Sequence, residues 1–484
     1  MRIWQHVRTL LLFLGIFLCW TPHQAHSAGN FLPGNGAAAT GKGTAVVATG
    51  SGIDAVQFNS ANLGKLRGFG LKFDSLLSFQ KASFLRAPEG SFQFDRVEKD
   101  GAPAFIPALQ IWYNIKNLGP GSLTISLYGY APHGKTNFRY PEIEGTCTKS
   151  KNGDANVCNP MPEPGPQRLT IINTSSPLVY FGLGGAYEWN INEETALRFG
   201  GTVRVAYISA QQRQSAIAAS LFYSPNTSKI TDGEVIMDLR GSGITVTGDI
   251  GMSMSLPFGL AFGASLIFPM KANLTGDLDL QINTTFDSLA SIQGKDVLVE
   301  LDFPFILRAG IGWQKYGFSI EANFVAEFWT IQEQISVSPQ NVKLKFGDTE
   351  STIPNFAIEQ KFRNSYSIRI GAEYLISKWV YVRAGYMYEM GATQRNRLSA
   401  NTLDYPDKHI ITGGVGVNIP GGLQLNVGVM HALDGNFDIN DSASMPINVS
   451  PPDLGGGTVT TVGNGNYQYG VTVVNIGISG NWLK

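Results

Sequence analysis

The chain has 484 residues, of which 15% are charged, with a formal net charge of −1 and 56 glycines. A soluble protein carries about 25% charged residues, so an ordinary water-facing surface is excluded, and a near-neutral balance without blocks of like charge gives no electrostatic ground for nucleic acid as a partner. Beyond the first 20 residues no apolar run reaches the ~18 residues of a membrane helix, so the apolar content is dispersed along the chain.

At the start, Arg2 and Arg8 flank the opening of an uncharged apolar run, Leu10 to Trp20, and Ala25 and Ser27 are the small residues of a cleavage site. Residues 1–27 are therefore predicted to be a secretory signal peptide. Cys19 leaves with it, because Leu18 stands where lipoprotein processing needs a small residue. Residues 28–66 form a Gly/Ala-rich stretch with neither helical nor strand period.

From Gly68 onward the pattern has period two. In "ALRFGGTVRVAYIS", Leu197, Phe199, Val203, Val205 and Tyr207 share one face while Arg198, Thr202 and Arg204 share the other. The same alternation recurs in "YSIRIGAEYLI" and "WVYVRAGYMYE". Strands are predicted at 68–86, 104–116, 121–132, 177–190, 194–209, 234–256, 258–283, 297–313, 317–337, 358–376, 379–396, 407–419, 422–437 and 466–482. The links after even-numbered strands are tight ("NLGP", "NINE", "LPFG", "QKYG", "ISKW", "IPGG") and those after odd-numbered strands are long. Short turns alternating with long loops over an even strand count predict an all-β fold, a 14-stranded antiparallel transmembrane β-barrel in a bacterial outer membrane, occupying 67–484. Closure pairs every backbone group within the lipid. Trp112, Tyr113, Trp189, Trp313, Tyr316, Trp329, Trp379 and Trp482 are expected in the interfacial girdles.

A barrel of this width is too wide for its own side chains to fill, since about eight strands suffice for that. Residues 28–66 are therefore expected inside the lumen as a hatch, with a disordered periplasmic tail as the alternative. Cys147 and Cys158 lie in a Pro/Gly/Lys-rich loop of an exported chain and are expected to form a local disulfide, with free thiols as the alternative. No His lies near them and no cluster has metal-ligand spacing, so neither metal nor cofactor is expected.

"AGNFLPGNGAAATGKGTAVVATG" followed by "FNSANLGKL" resembles the N-terminal hatch of the FadL/TodX family of outer-membrane hydrophobic-compound transporters, and the blocks Val297 to Trp329 and Ser365 to Leu433 resemble that family's later strands. Its Asn-Pro-Ala hatch motif reads Asn59-Ser60-Ala61 here, and the C-terminal aromatic is Trp482, followed by Leu483 and Lys484. The resemblance implies a monomer in outer-membrane lipid that passes long-chain fatty acid, or another apolar small molecule such as an aromatic or alkane hydrocarbon. Such a ligand would adsorb between two extracellular loops, enter a pocket beside the hatch, and leave sideways where the third strand kinks.

Candidate ligand residues are Phe31 in the hatch, Ile217, Leu221 and Phe222 in one long loop, and Phe286, Leu289 and Ile292 in the next. A desolvated carboxylate needs a cation, for which Arg198, Arg204 and Arg213 are the candidates. Tyr128, Gly129 and Pro132 are the candidates for a lateral gate, because proline cannot donate to a ladder and glycine marks bends. An enzyme is not expected: there is no G-x-S-x-G, and no Ser/His spacing favours a barrel-embedded lipase. An open hydrophilic porin would have no use for a plug.

Overall fold

A computed structural model describes residues 34–88, 93–100, 102–140, 147–149, 156–158, 166–218, 234–282, 290–346, 348–400, 407–452, 459 and 461–482. The expected signal segment and Phe31 lie outside these residues, as do Leu221, Phe222, Phe286 and Leu289.

Fourteen antiparallel spans close into one barrel. The first six are unbroken: β1 (Phe69–Arg86), β2 (Ala104–Leu118), β3 (Gly121–Arg139), β4 (Ile171–Asn190), β5 (Ala196–Ile217) and β6 (Glu234–Ser255). The next four are each split in two: β7 (Leu260–Ile267, Met270–Ile282), β8 (Asp296–Phe303, Ile306–Lys315), β9 (Phe318–Glu327, Gln334–Pro339) and β10 (Phe356–Glu359, Ser365–Ser377). Four more complete the wall: β11 (Val380–Met390), β12 (Asp407–Ile419), β13 (Leu423–Ile439) and β14 (Gly465–Trp482). β14 pairs with β1 from Phe69↔Trp482 to Arg86↔Gly465, so no edge is left to expose backbone groups to lipid.

All six expected turns fall where the spacing put them. The tightest, Tyr316–Gly317, has both residues at positive φ (55° and 77°), the pair of angles a two-residue hairpin needs to match strand twist. Outward positions carry exposed Leu127, Leu183, Val203, Ile244, Ile411 and Ile476, a band that only a bilayer would cover. Phe69 stacks on Trp482 at 6.2 Å at the periplasmic rim, where Tyr113, Trp189 and Trp379 are also exposed. Two expected girdle residues are instead inside. Trp112 is buried with Nε1 donating to Arg67 O (3.4 Å), and Trp329 packs edge-on against Phe362 (5.9 Å). Trp112 lies on the lumen face of β2, and Trp329 lies in the gap between the two halves of β9.

Inside the barrel sit two short helices, α1 (Ala37–Gly41) and α2 (Ile53–Phe58), followed by a 3-10 turn at Ser60–Lys65. Almost every residue from 35 to 64 is buried. An isolated helix of five or six residues has no stability in water, so this segment takes its shape from the wall around it.

Candidate functional site

The hatch is seated by the barrel at close quarters. Lumen-facing glycines leave room for its backbone: a Cβ at Gly371 would collide with Lys42 O, at Gly428 with Ala37 O, at Gly263 with Val47 O, and at Gly200 with Ser60 O. Between these contacts run specific bonds. Glu321 accepts from Ala48 N (2.7 Å), Thr49 N (2.8 Å) and the Thr49 hydroxyl; Asp74 accepts from Ala37 N (2.8 Å); Arg369 Nη1 donates to Thr44 Oγ1 (2.8 Å); Ser265 Oγ donates to Phe58 O (2.6 Å).

The hatch motif supplies the turn. Asn59 Oδ1 accepts from Ala61 N (3.2 Å) and caps the 3-10 segment, while its Nδ2 donates to Val47 O (2.8 Å) and Met252 O (3.0 Å). Ser60 stands at the first helical position, where an N–H has no intrahelical acceptor and proline is tolerated. Asp54 is buried beside Lys72 Nζ (3.8 Å). Burial pushes its carboxyl up from 3.8 to about 6, with Lys72 opposing the rise.

Above the hatch, between it and the wall, lies a narrow, open-mouthed pocket of about 50 Å³. Phe58 and Gln57 of α2 form its floor, and Tyr130, Pro132 and Tyr180 line the β3–β4 side. The opposite side is Ile267, Phe268, Met270, Phe303, Pro304 and Ile306 of β7 and β8. A continuous cluster of buried apolar residues joins Met270 and Phe303 to Leu280, Val299, Val337 and Ile358 higher on β7–β10 and to Leu344 in the small extracellular sheet of Ala290–Gln293, Lys343–Phe346 and Thr349–Thr352. Apolar lining thus runs from the cell-surface end down to the hatch.

Three arginines reach the pocket, and their partners separate them. Arg204 is bound to Asp249, donates to Tyr130 Oη (2.7 Å) and Thr202 Oγ1 (2.8 Å), and lies over the Tyr180 ring at 5.2 Å. Arg369 is held by Thr44, by Ser367 Oγ (3.1 Å) and by Glu389 (3.9 Å). Arg308 makes one hydrogen bond, from Nη1 to Gln57 O (3.1 Å), and lies 5.6 Å from the Phe58 ring centre. Among the described residues no carboxylate comes within 4.0 Å of it, and its buried Nε has no partner.

The arginines singled out from the sequence do other work. Arg198 is bonded to Glu188 (2.6 Å) and Ser255 (2.8 Å) beside Gly64 at the periplasmic end, and Arg204 is saturated by Asp249 and its neighbours. Arg213 stands opposite Asp238 in the β5–β6 ladder, away from the pocket. Ile217 is fully buried against Leu169 and Val462, and Ile292 packs against the apolar cluster.

Of the gate residues, Gly129 is paired on both sides, to Leu109 and Phe181, with the Phe181 ring over it. The interruption begins later: pairing to β2 stops at Tyr130, and the β4 ladder skips from Tyr130 to His133. Asn35 Nδ2 takes the Ala131 carbonyl there (3.0 Å). Tyr128 is buried with its ring over Gly182. Cys147 and Cys158 face each other as direct partners in a two-stranded hairpin.

Sequence reading missed Arg308 because a basic residue on the lumen face of an alternating strand is ordinary. The available signal was that neither strand partner, Ser265 or Val325, is acidic.

Residues 173–466, more than half of the chain, match the family described as "Outer membrane protein transport protein (OMPP1/FadL/TodX)". No curated protein sequence matches. Solved structures match over nearly the whole chain at low identity: a Pseudomonas aeruginosa FadL homologue (TM-score 0.68, 14% identity, 94% of this chain and 100% of that one), the Ralstonia pickettii toluene transporter TbuX (0.58, 15%, 93% and 99%) and the P. putida toluene transporter TodX (0.59, 14%, 93% and 99%). At such identity these likenesses bear on the fold.

Proposed function

This chain belongs to the OMPP1/FadL/TodX family of outer membrane transport proteins, and on that premise we propose that it takes up long-chain fatty acids, which pass down the apolar lining into the pocket above the hatch and leave sideways into the bilayer. The observation that carries the choice of ligand is Arg308. A buried guanidinium is costly to keep unless something compensates its charge, and here its direct contacts are one neutral carbonyl and one ring face, while the Glu327 carboxylate on the same pocket wall acts on it only from beyond ion-pair distance. A fatty-acid carboxylate would meet that cation while its tail lies along Phe58, Ile267, Met270 and Phe303. Toluene, carried by two structurally similar proteins according to their names, would fill the same apolar walls and leave Arg308 as it is.

The test is binding of labelled oleate and of toluene to purified protein, each with wild type and with Arg308→Met. Oleate binding that depends on Arg308 supports the reading. Tight toluene binding with no detectable oleate binding would replace it with hydrocarbon uptake. The expected exit through the wall at β3 belongs to the same proposal, with the interruption at Tyr130–His133 in place of Gly129.

A further inference from the structure

The third strand is not the one place where the ladder of the wall is broken. In β7 and β8 the pairing Ile267↔Ile306 is followed by Met270↔Phe303, so Phe268-Pro269 and Pro304-Phe305 face each other without a ladder between them. Both strands slip their alternation there. Ser265 is buried below the break in β7 and Met270 and Ala272 above it; Arg308 and Ile306 are buried below the break in β8 and Phe303 and Leu301 above it. At this level the alternation no longer separates lumen from lipid: Phe268 lines the pocket and is 42% exposed.

Three backbone groups of the break are bonded away from it. Neither proline has an N–H to lose. Phe268 N donates to Gly248 O (2.9 Å) and Phe268 O accepts from Thr247 Oγ1 (2.8 Å), both on β6. Phe305 O accepts from Phe328 N (3.2 Å) in the break of β9, and the Phe305 and Phe328 rings stack at 4.0 Å on the outside. Elsewhere in the wall, parting two strands would orphan backbone groups in hydrocarbon at several kcal/mol each. Here the gap can widen with those bonds intact. It lies between Trp313 at the periplasmic end and the exposed Lys271–Glu300 pair (3.2 Å) at the polar boundary, at the outer edge of the apolar band.

We propose that the paired break Phe268-Pro269/Pro304-Phe305 is a second opening in the barrel wall, through which an apolar ligand passes between the pocket and the outer part of the bilayer, with the Phe268 ring as its gate. It rests on the pocket being a transport site for apolar ligands, and it differs from an exit at β3 in lying on the other side of that pocket.

Phe268→Cys with Phe305→Cys places two outward residues opposite each other in the continued register, so oxidation should staple the gap. Uptake of oleate by cells carrying the oxidised pair is expected to fall at least threefold relative to the same cells after reduction. Independently, a fatty acid with a photoreactive tail, bound to wild type in membranes, should label peptides containing Phe268 or Phe305. Equal uptake by oxidised and reduced pairs, or labelling confined to β3 near Pro132, overturns the second opening while leaving the transport reading in place. A wild-type protein that binds neither oleate nor toluene overturns that reading itself.

Discussion

Replacing Arg308 by methionine keeps a similar volume and removes the pocket cation that has no carboxylate within 4.0 Å among the described residues, Glu327 acting on it from farther off. Arg308 now offers one hydrogen bond to Gln57 O and a ring contact with Phe58, together about 2 kcal/mol. Against that stands the desolvation of a buried guanidinium, several kcal/mol after relaxation. The empty barrel should therefore melt no lower than wild type. With a fatty acid bound the sign reverses. A carboxylate left in the pocket without its cation loses about 3 kcal/mol, which is ~100-fold in affinity. Toluene offers no charge, so its affinity should move less than threefold. Calorimetric titration of both variants with oleate and with toluene, and their melting curves without ligand, read all three quantities. Equal losses for the two ligands would mean that Arg308 shapes the pocket without meeting a head group. A large fall in the stability of the empty protein would show that Arg308 serves the fold.

Glu321→Gln should loosen the hatch, since it replaces a carboxylate that accepts three hydrogen bonds from Ala48 and Thr49; single-channel recording should show a higher or noisier conductance than wild type, and an unchanged trace would count against the latch. Asp54 has its carboxyl raised from 3.8 to about 6 by burial, so the seated hatch holds that proton more tightly than a released one would. Seating is then strongest below about pH 4 and weakens by on the order of 3 kcal/mol as pH climbs through about 6; hydrogen exchange of residues 53–58 should follow that course in wild type and lose its slope in Asp54→Asn. Cys147 and Cys158, direct partners in their hairpin, should be recovered as one disulfide-linked peptide by mass spectrometry of the unreduced protein, and two free thiols would contradict it.

The barrel was legible because a wall with lipid on one side and a lumen on the other imposes period two on every span, and because tight periplasmic turns need residues such as Tyr316-Gly317 and Gly421-Gly422. Legibility failed where both faces are apolar. Around Pro269 and Pro304 the alternation slips by one residue, but Ile267, Phe268 and Met270 in one strand and Phe303, Phe305 and Ile306 in the other are all apolar, so two half-strands read as one long strand. Trp112 and Trp329 were placed in the girdle for the same reason, since residue type alone does not say which side of the wall it faces. The hatch was foreseeable as small-residue filling, yet its seats were not, because the glycines that receive it lie far along the chain: Gly263, Gly371 and Gly428 match Val47, Lys42 and Ala37 only once the barrel closes.

A way out through the floor and the proposed way out through the wall at β7 and β8 can be compared on energy. Leaving through the floor requires the hatch to unseat, which means giving up the three bonds at Glu321 and those at Asp74, Thr44, Phe58 and Met252. At about 1 kcal/mol for a neutral bond and about 2 for one to a charged group, the sum is on the order of 10 kcal/mol. A seated population would then open about once in 10⁷ samplings. Leaving through the proposed opening at β7 and β8 would widen the gap and turn aromatic rings while the Phe268 and Phe305 bonds to β6 and β9 stay made, the ring motion being of ps–ns scale for an exposed side chain. An apolar ligand also gains by the sideways route, because entering the periplasm would return its surface to water at roughly 25 cal/mol per Å². Under the proposed uptake of apolar ligands both the barrier and the destination favour the wall, so a hatch that is firmly held is compatible with that proposal.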